Sequence, residues 1–217
     1  MWSTGTGLPR RFAMLQASPL PRTLASFSAA MSKIKSVNEF FETKTKVWDL
    51  LYEESDRGCV LVSASILDDT LDILLKQILK RKKLSNNKIK DITNFTGPLG
   101  TFSSRIVMSY VFSVISCELY ENLEIIRRIR NDFAHGYDRT DFSQSELEEK
   151  VRSMKSTKYP IEEDLLRVCP EYTPEVKSVM VQDKEFPIGR IIFSLHVSGM
   201  LAEILAKTKA IEEVANN

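Results

Sequence analysis

The chain has 217 residues, 43% of them hydrophobic and 27% charged, the composition of an ordinary globular protein with one core to bury. Thirty Lys and Arg stand against 29 Asp and Glu, a net charge of +1 that excludes a grip on nucleic acid through bulk charge and leaves room only for a local basic surface. Cys59, Cys117 and Cys169 lie far apart without CxxC spacing, against a disulfide framework or a zinc site, and no run of about 18 apolar residues marks a membrane span.

Residues 1 to 30 hold Arg10, Arg11 and Arg22, many Ser and Thr, three Pro and no acid. That composition suits either an organelle transit peptide or an extension upstream of a start at Met31, with the extension preferred. The segment has too little apolar content to bury a core, so residues 31–217 are read as a single α-helical domain with 27 cations against 29 anions. A cytoplasmic location is expected, or organelle import if the leader is genuine in a eukaryotic host.

In chain order, Asn38 can cap a helix from about 39 to 53, with Phe40, Val47, Leu50 and Leu51 as its apolar side. Ser55, with Asp56 in the first turn, starts the longest helix, to about Lys82. Within it Val60, Ala64, Leu67, Leu71, Leu74 and Ile78 repeat at the spacing of a bundle seam. Its end is basic (Lys76, Lys80, Arg81, Lys82, Lys83, then Lys88 and Lys90), read as a solvated helix end, with a phosphate-contacting patch as the alternative. Gly97-Pro98 and Gly100 mark a loop over 94–104, with Ser103 or Ser104 capping a helix from Arg105 to about Ile115. Cys59 and Cys117 are read as small apolar residues within helices.

The helix from about Glu118 to Gly136 follows. Leu119, Leu123, Ile126, Arg130 and Phe133 share one arc, which places an arginine in the core-facing stripe, where it needs a carboxylate, a polar channel or a subunit interface. Asp68 is the expected partner. His135 lies in the last turn, before Gly136. Beyond it, Ser145 with Glu148 suggests a capping box, and Leu147, Val151 and Met154 a short amphipathic helix. Prolines 160, 170, 174 and 187 then break the chain into loop, with a short helix at 162–168 and an extended run at 176–181. A helix from about Ile188 to Glu213 closes it, with Ile188, Ile192, Leu195, Gly199 and Ala202 on one face. The fold class is all-α, an antiparallel helical bundle with a Pro-broken irregular segment before the C-terminal helix.

Arg130, Asn131 and His135 are the candidate chemistry. Positions i and i+5 lie about 140° apart on a helix, so Arg130 and His135 cooperate only if the helix unwinds or a second subunit contributes, whereas Asn131 reaches His135 unaided. An imidazole that moves protons and a guanidinium that binds phosphate oxygens are sufficient parts for metal-free RNA cleavage. The structural alternative has His135 capping its helix and Arg130 paired internally. With Arg57, Asp68, Asp69, Arg105 and Asp132, Arg130 and His135 make up the candidate polar cluster. No P-loop, GxGxxG, GxSxG, HExxH or helix-turn-helix pattern is present, and neither a metal nor a cofactor is expected. His196 is read as a surface or satisfied residue.

Three blocks, ESDRGCVLVSASILDDTLDILL at 54–75, GPLGTFSSRIVMSYVFSVI at 97–115 and LEIIRRIRNDFAH at 123–135, in this order resemble the mannitol operon repressor family. The resemblance covers about residues 36–136. It implies a small all-α transcriptional regulator, repressing a sugar-alcohol uptake operon. The R-x4-H motif is also similar to the HEPN superfamily, which would imply a dimeric, metal-independent endoribonuclease with Arg130 and His135 catalytic and Asn131 supporting. The first reading is a non-enzymatic regulator acting through a protein partner, expected as a homodimer, with direct DNA binding weakly supported. The alternative is the toxin-like RNase, with RNA as its partner.

Overall fold

A computed structural model of the chain describes residues 46–135, 141–155, 161–181 and 183–216. The leader, the Asn38 cap and Phe40 lie outside the described residues. Residues 46–53 form the described part of a first helix, α1. Ser55 caps α2 (Asp56–Arg81) by accepting a hydrogen bond from the Gly58 N–H, and all six residues of the bundle seam are buried along it. Each buried leucine of that seam contributes roughly 1.5–3 kcal/mol of transfer free energy.

Next comes a short helix that the sequence reading missed, α3 (Asn86–Thr93), capped by Ser85. Only Ile89 and Thr93 are buried in it, too few positions to reveal a period among the lysines. The cations Lys80, Arg81, Lys82, Lys83, Lys88 and Lys90 around this turn are all exposed. α4 (Phe102–Val111) starts three residues before the expected Arg105, because Thr101 is its cap: Thr101 and Ser104 form a reciprocal capping box. It ends at Val111, where Phe112 and the left-handed Ser113 turn the chain.

α5 (Cys117–His135) buries Leu119, Asn122, Leu123, Ile126, Ile129 and Phe133. Asn122 is fully buried and fully matched, its amide bonding both the N–H and the C=O of Lys155 at 2.8 Å. Cys59 is buried as expected, but Cys117 is exposed, because it is the first residue of α5. Arg57 at the start of α2 donates to the Ala134 carbonyl near the end of α5, so these helices are antiparallel.

α6 (Ser145–Arg152) and α7 (Glu162–Val168) follow. The expected capping box is absent. Ser145 is the first helical residue, Gln144 the cap position, whose side chain makes no capping bond to the helix, and Glu148 turns instead to Arg152 at 2.8 Å and Lys177 at 3.4 Å. The extended run becomes a hairpin, β1 (Ser178–Val181) paired antiparallel with β2 (Lys184–Pro187), Val179 opposite Phe186. Asp183 takes the left-handed conformation that its two-residue turn needs. The hairpin is the one departure from all-α among the described residues.

The final helix, α8 (Ile188–Asn216), is the longest, at 29 residues. Every residue from 188 to 205 is buried, so this is the central helix of the fold and not a one-faced one. Among the described residues it alone is long and apolar enough to cross a membrane, and its apolar window lies wholly inside the protein. α8 packs on α2 in parallel: Arg190 meets Asp56, Ser194 lies 3.7 Å from Cys59, and Gln77 donates to Glu212. The antiparallel bundle expected from the sequence thus contains a parallel central pair, made possible because α5 brings the chain back to the end where α2 begins and α6, α7 and the hairpin start α8 from that same end.

Candidate functional site

Four segments surround an open groove of about 770 Å³. The middle of α2 contributes Leu61, Ala64, Ser65 and Asp68, and the turn before α4 contributes Phe95, Gly100 and Thr101. The start of α4 supplies Phe102, Ser103 and Arg105, and the second half of α5 supplies Arg127, Arg130 and Asn131. Glycine shapes the turn: a methyl at Gly97 would overlap the carbonyl oxygens of Asp91 and Ile92, and one at Gly100 those of Asn94 and Phe95. This close approach lets Leu99 donate to the Ile92 carbonyl at 2.9 Å and aims the α4 N-terminus at the groove.

Asp68 and Arg105 meet in this groove. Arg105 Nη1 donates to Asp68 at 2.6 Å, while Nη2 reaches the Thr93 carbonyl and Asp72, each at 3.4 Å. Burial holds the Asp68 carboxyl above the usual range, against the pull of the Arg105 guanidinium. Burial also raises Asp69, helped by the charges of Asp68 and Asp72, although Asp69 is exposed beside the groove and not part of its lining.

The expected Arg130–Asp68 pair is therefore replaced by Arg105–Asp68. Arg130 is exposed, and among the described residues its side chain bonds the neighbouring Asn131 Oδ1, at 3.2 Å. Ile129 and Asn122, both fully buried, shift the centre of the buried arc by only about 30°, and in projection Arg130 still falls between the buried Leu119 and Leu123; it is exposed because at its level this face of α5 opens on the groove and not on a packed helix. Arg127 beside it is bound by both oxygens of Glu124, at 2.8–3.2 Å.

The remaining members of the predicted cluster lie apart. Arg57 closes the C-terminus of α5, and Asp132 is exposed and paired with Lys150 at 2.9 Å. His135 is the last residue of α5, but its side chain is outside the described residues, as is Gly136. Among the described residues no three His, Cys, Asp or Glu side chains come together as a metal site.

The deeply buried arginine of this fold is Arg190, which the sequence reading passed over. It pairs with Asp56 at 2.8 Å, donates to the carbonyls of Leu51 and Glu54, and lies 4.7 Å over the Phe186 ring. Its isolation in an apolar helix was the available signal, since a lone guanidinium there requires a built partner. His196, in the same helix, is also buried, and burial lowers its pKa to about 4. Burial raises the Cys59 thiol to about 11, which keeps it protonated.

A family model described as "Mannitol repressor" matches residues 43–204. The match runs through the Pro-broken segment and most of α8, well past the residue 136 at which the sequence resemblance stopped. Among solved structures, a chain in the X-ray structure of the MtlR–HPr complex from Escherichia coli is similar, with a TM-score of 0.52 and 17% identity over 74% of this chain and 97% of that one. At this identity the likeness shows a shared fold. No curated protein matches the chain significantly.

Proposed function

The chain belongs to the mannitol repressor family, and from that premise we propose that it is a non-enzymatic, repressor-like transcriptional regulator that acts in the cytoplasm by contacting another protein. The family match over residues 43–204 carries this reading. The fold likeness supports the mode of action, since the Escherichia coli relative was solved in complex with HPr. The groove supports it too. Three of its four charged side chains are already held, Asp68 and Arg105 by each other and Arg127 by Glu124, an arrangement that suits recognition better than turnover. Neither match points to a HEPN ribonuclease, and among the described residues the Arg130 side chain bonds Asn131. A homodimer belongs to the same proposal and is checked by sedimentation velocity.

The direct test titrates Escherichia coli HPr into the purified full chain by calorimetry. Saturable binding with a dissociation constant of about 1–100 μM, the range of transient regulatory contacts, is expected. No heat at millimolar HPr overturns the HPr-type partner. RNA incubated with the chain in EDTA should stay intact. Cyclic-phosphate ends that vanish with His135→Ala would replace regulation by cleavage.

A further inference from the structure

We propose that the groove is a docking cleft for an acidic segment of the partner protein: a carboxylate side chain seats on Arg130, and a neighbouring apolar side chain covers the floor between α2 and Phe95. The inference rests on the protein-contact reading above and adds to it the surface and the chemistry that surface selects.

Charge complementarity carries it. Of the four ionised side chains that line the groove, Asp68 and Arg105 neutralise each other and Arg127 is held by Glu124. Arg130 has no carboxylate within salt-bridge distance among the described residues; one donor meets the Asn131 amide oxygen, the residue is exposed, and its charge acts on Asp68 only through space, behind the Arg105 contact. That fork matches a carboxylate in bidentate fashion. The N-terminus of α4 also opens here, where Thr101 satisfies the Ser104 N–H and the helix dipole adds partial positive charge. The one anion in the lining, Asp68, is already bonded to Arg105 and does not repel an incoming carboxylate at full charge.

Apolar surface supplies the second half of the match. Phe95 is 88% exposed, the most exposed large hydrophobic side chain among the described residues, and it borders a floor that includes Leu61, Ala64 and Phe102. A large ring left in water on the same groove as a guanidinium without a salt-bridge partner among the described residues has the composition of an interface anchor, an aromatic contact and a charged one on one surface. The groove volume fits a few side chains of a peptide and remains open along one side, as a segment that enters and leaves requires.

The experiment selects random peptides displayed on phage against the immobilised full chain, with the Arg130→Glu chain as counter-selection. Both Arg130 and Phe95 are exposed, so their variants keep the fold, which circular dichroism verifies. Enriched peptides should carry Asp or Glu within a few residues of Leu, Ile, Phe or Trp. A synthetic copy should bind roughly 10-fold or more weakly to Arg130→Glu, the loss expected for one charge-assisted pair. It should also weaken with Phe95→Ala and with added salt. Enrichment without acidic bias, or equal binding to Arg130→Glu, overturns the proposal. HPr binding unchanged by Arg130→Glu overturns the cleft and leaves the regulator reading standing. Acidic peptides selected by a chain that ignores HPr establish the cleft and overturn the HPr-type partner.

Discussion

Replacing Asp56 by Ala strands the Arg190 guanidinium inside the protein. The Arg190 side chain is 8% exposed and Asp56 19%, and no second carboxylate pairs with Arg190 among the described residues. Removing one partner of a buried pair costs about 3–5 kcal/mol, and the partial exposure of Asp56 places this case near 3. The Phe142 N–H loses its acceptor at 3.0 Å, and α2 loses the carboxylate of its first turn; together these add about 1 kcal/mol. The expected total of about 4 kcal/mol lowers the melting temperature by about 8–16 °C for a chain of this size. Urea unfolding followed by far-UV circular dichroism measures it. Combining Asp56→Ala with Arg190→Met should recover part of the loss, since neither charge is then buried alone. A loss under about 1 kcal/mol, or a double variant as weak as the sum of the singles, would refute the idea that this pair locks α8 to α2.

Three further outcomes follow from the same structure. Asp68→Ala should cost about 1.5–3 kcal/mol, because Arg105 keeps only long 3.4 Å contacts to Asp72 and the Thr93 carbonyl, whereas Arg130→Ala should change stability by no more than about 0.5 kcal/mol; thermal melts rank the two. Because burial lowers His196 to about 4, the unfolded chain binds its proton first as pH falls below about 6.5. Stability should therefore drop by roughly 3 kcal/mol between about pH 6.5 and 4, and His196→Leu should flatten that slope in urea titrations. Gly97→Ala should cost about 1–3 kcal/mol and displace the turn carrying Phe95, read as a new amide chemical shift pattern over 94–101.

The helices were legible wherever apolar spacing was strong. The seam of α2 came from period and its Ser55 cap, the long C-terminal helix from the residues that share one face, and the helix at 162–168 from the proline breaks on either side of it. Two elements escaped for opposite reasons. α3 buries too few residues to show a period, and the hairpin depends on a two-residue turn whose pairing is a tertiary fact. Arg130 shows the limit of an arc: it projects between the buried Leu119 and Leu123, but what lies opposite a helix face at each level is a tertiary fact, and opposite Arg130 the face opens on the groove. Asp68 and Arg105 were both named from the sequence, but which arginine Asp68 meets depends on the glycine turn that brings α4 across α2. Phe95 carried no signal, since exposure of a ring is visible only once its surroundings are folded.

Hydrogen–deuterium exchange of the full chain with and without its bound protein partner tests the central claim most directly. Docking in the groove predicts slowed exchange over 94–105 and 127–131, with the basic turn around 80–90 unchanged. Protection confined to that basic turn, or to any face away from the groove, would contradict the account.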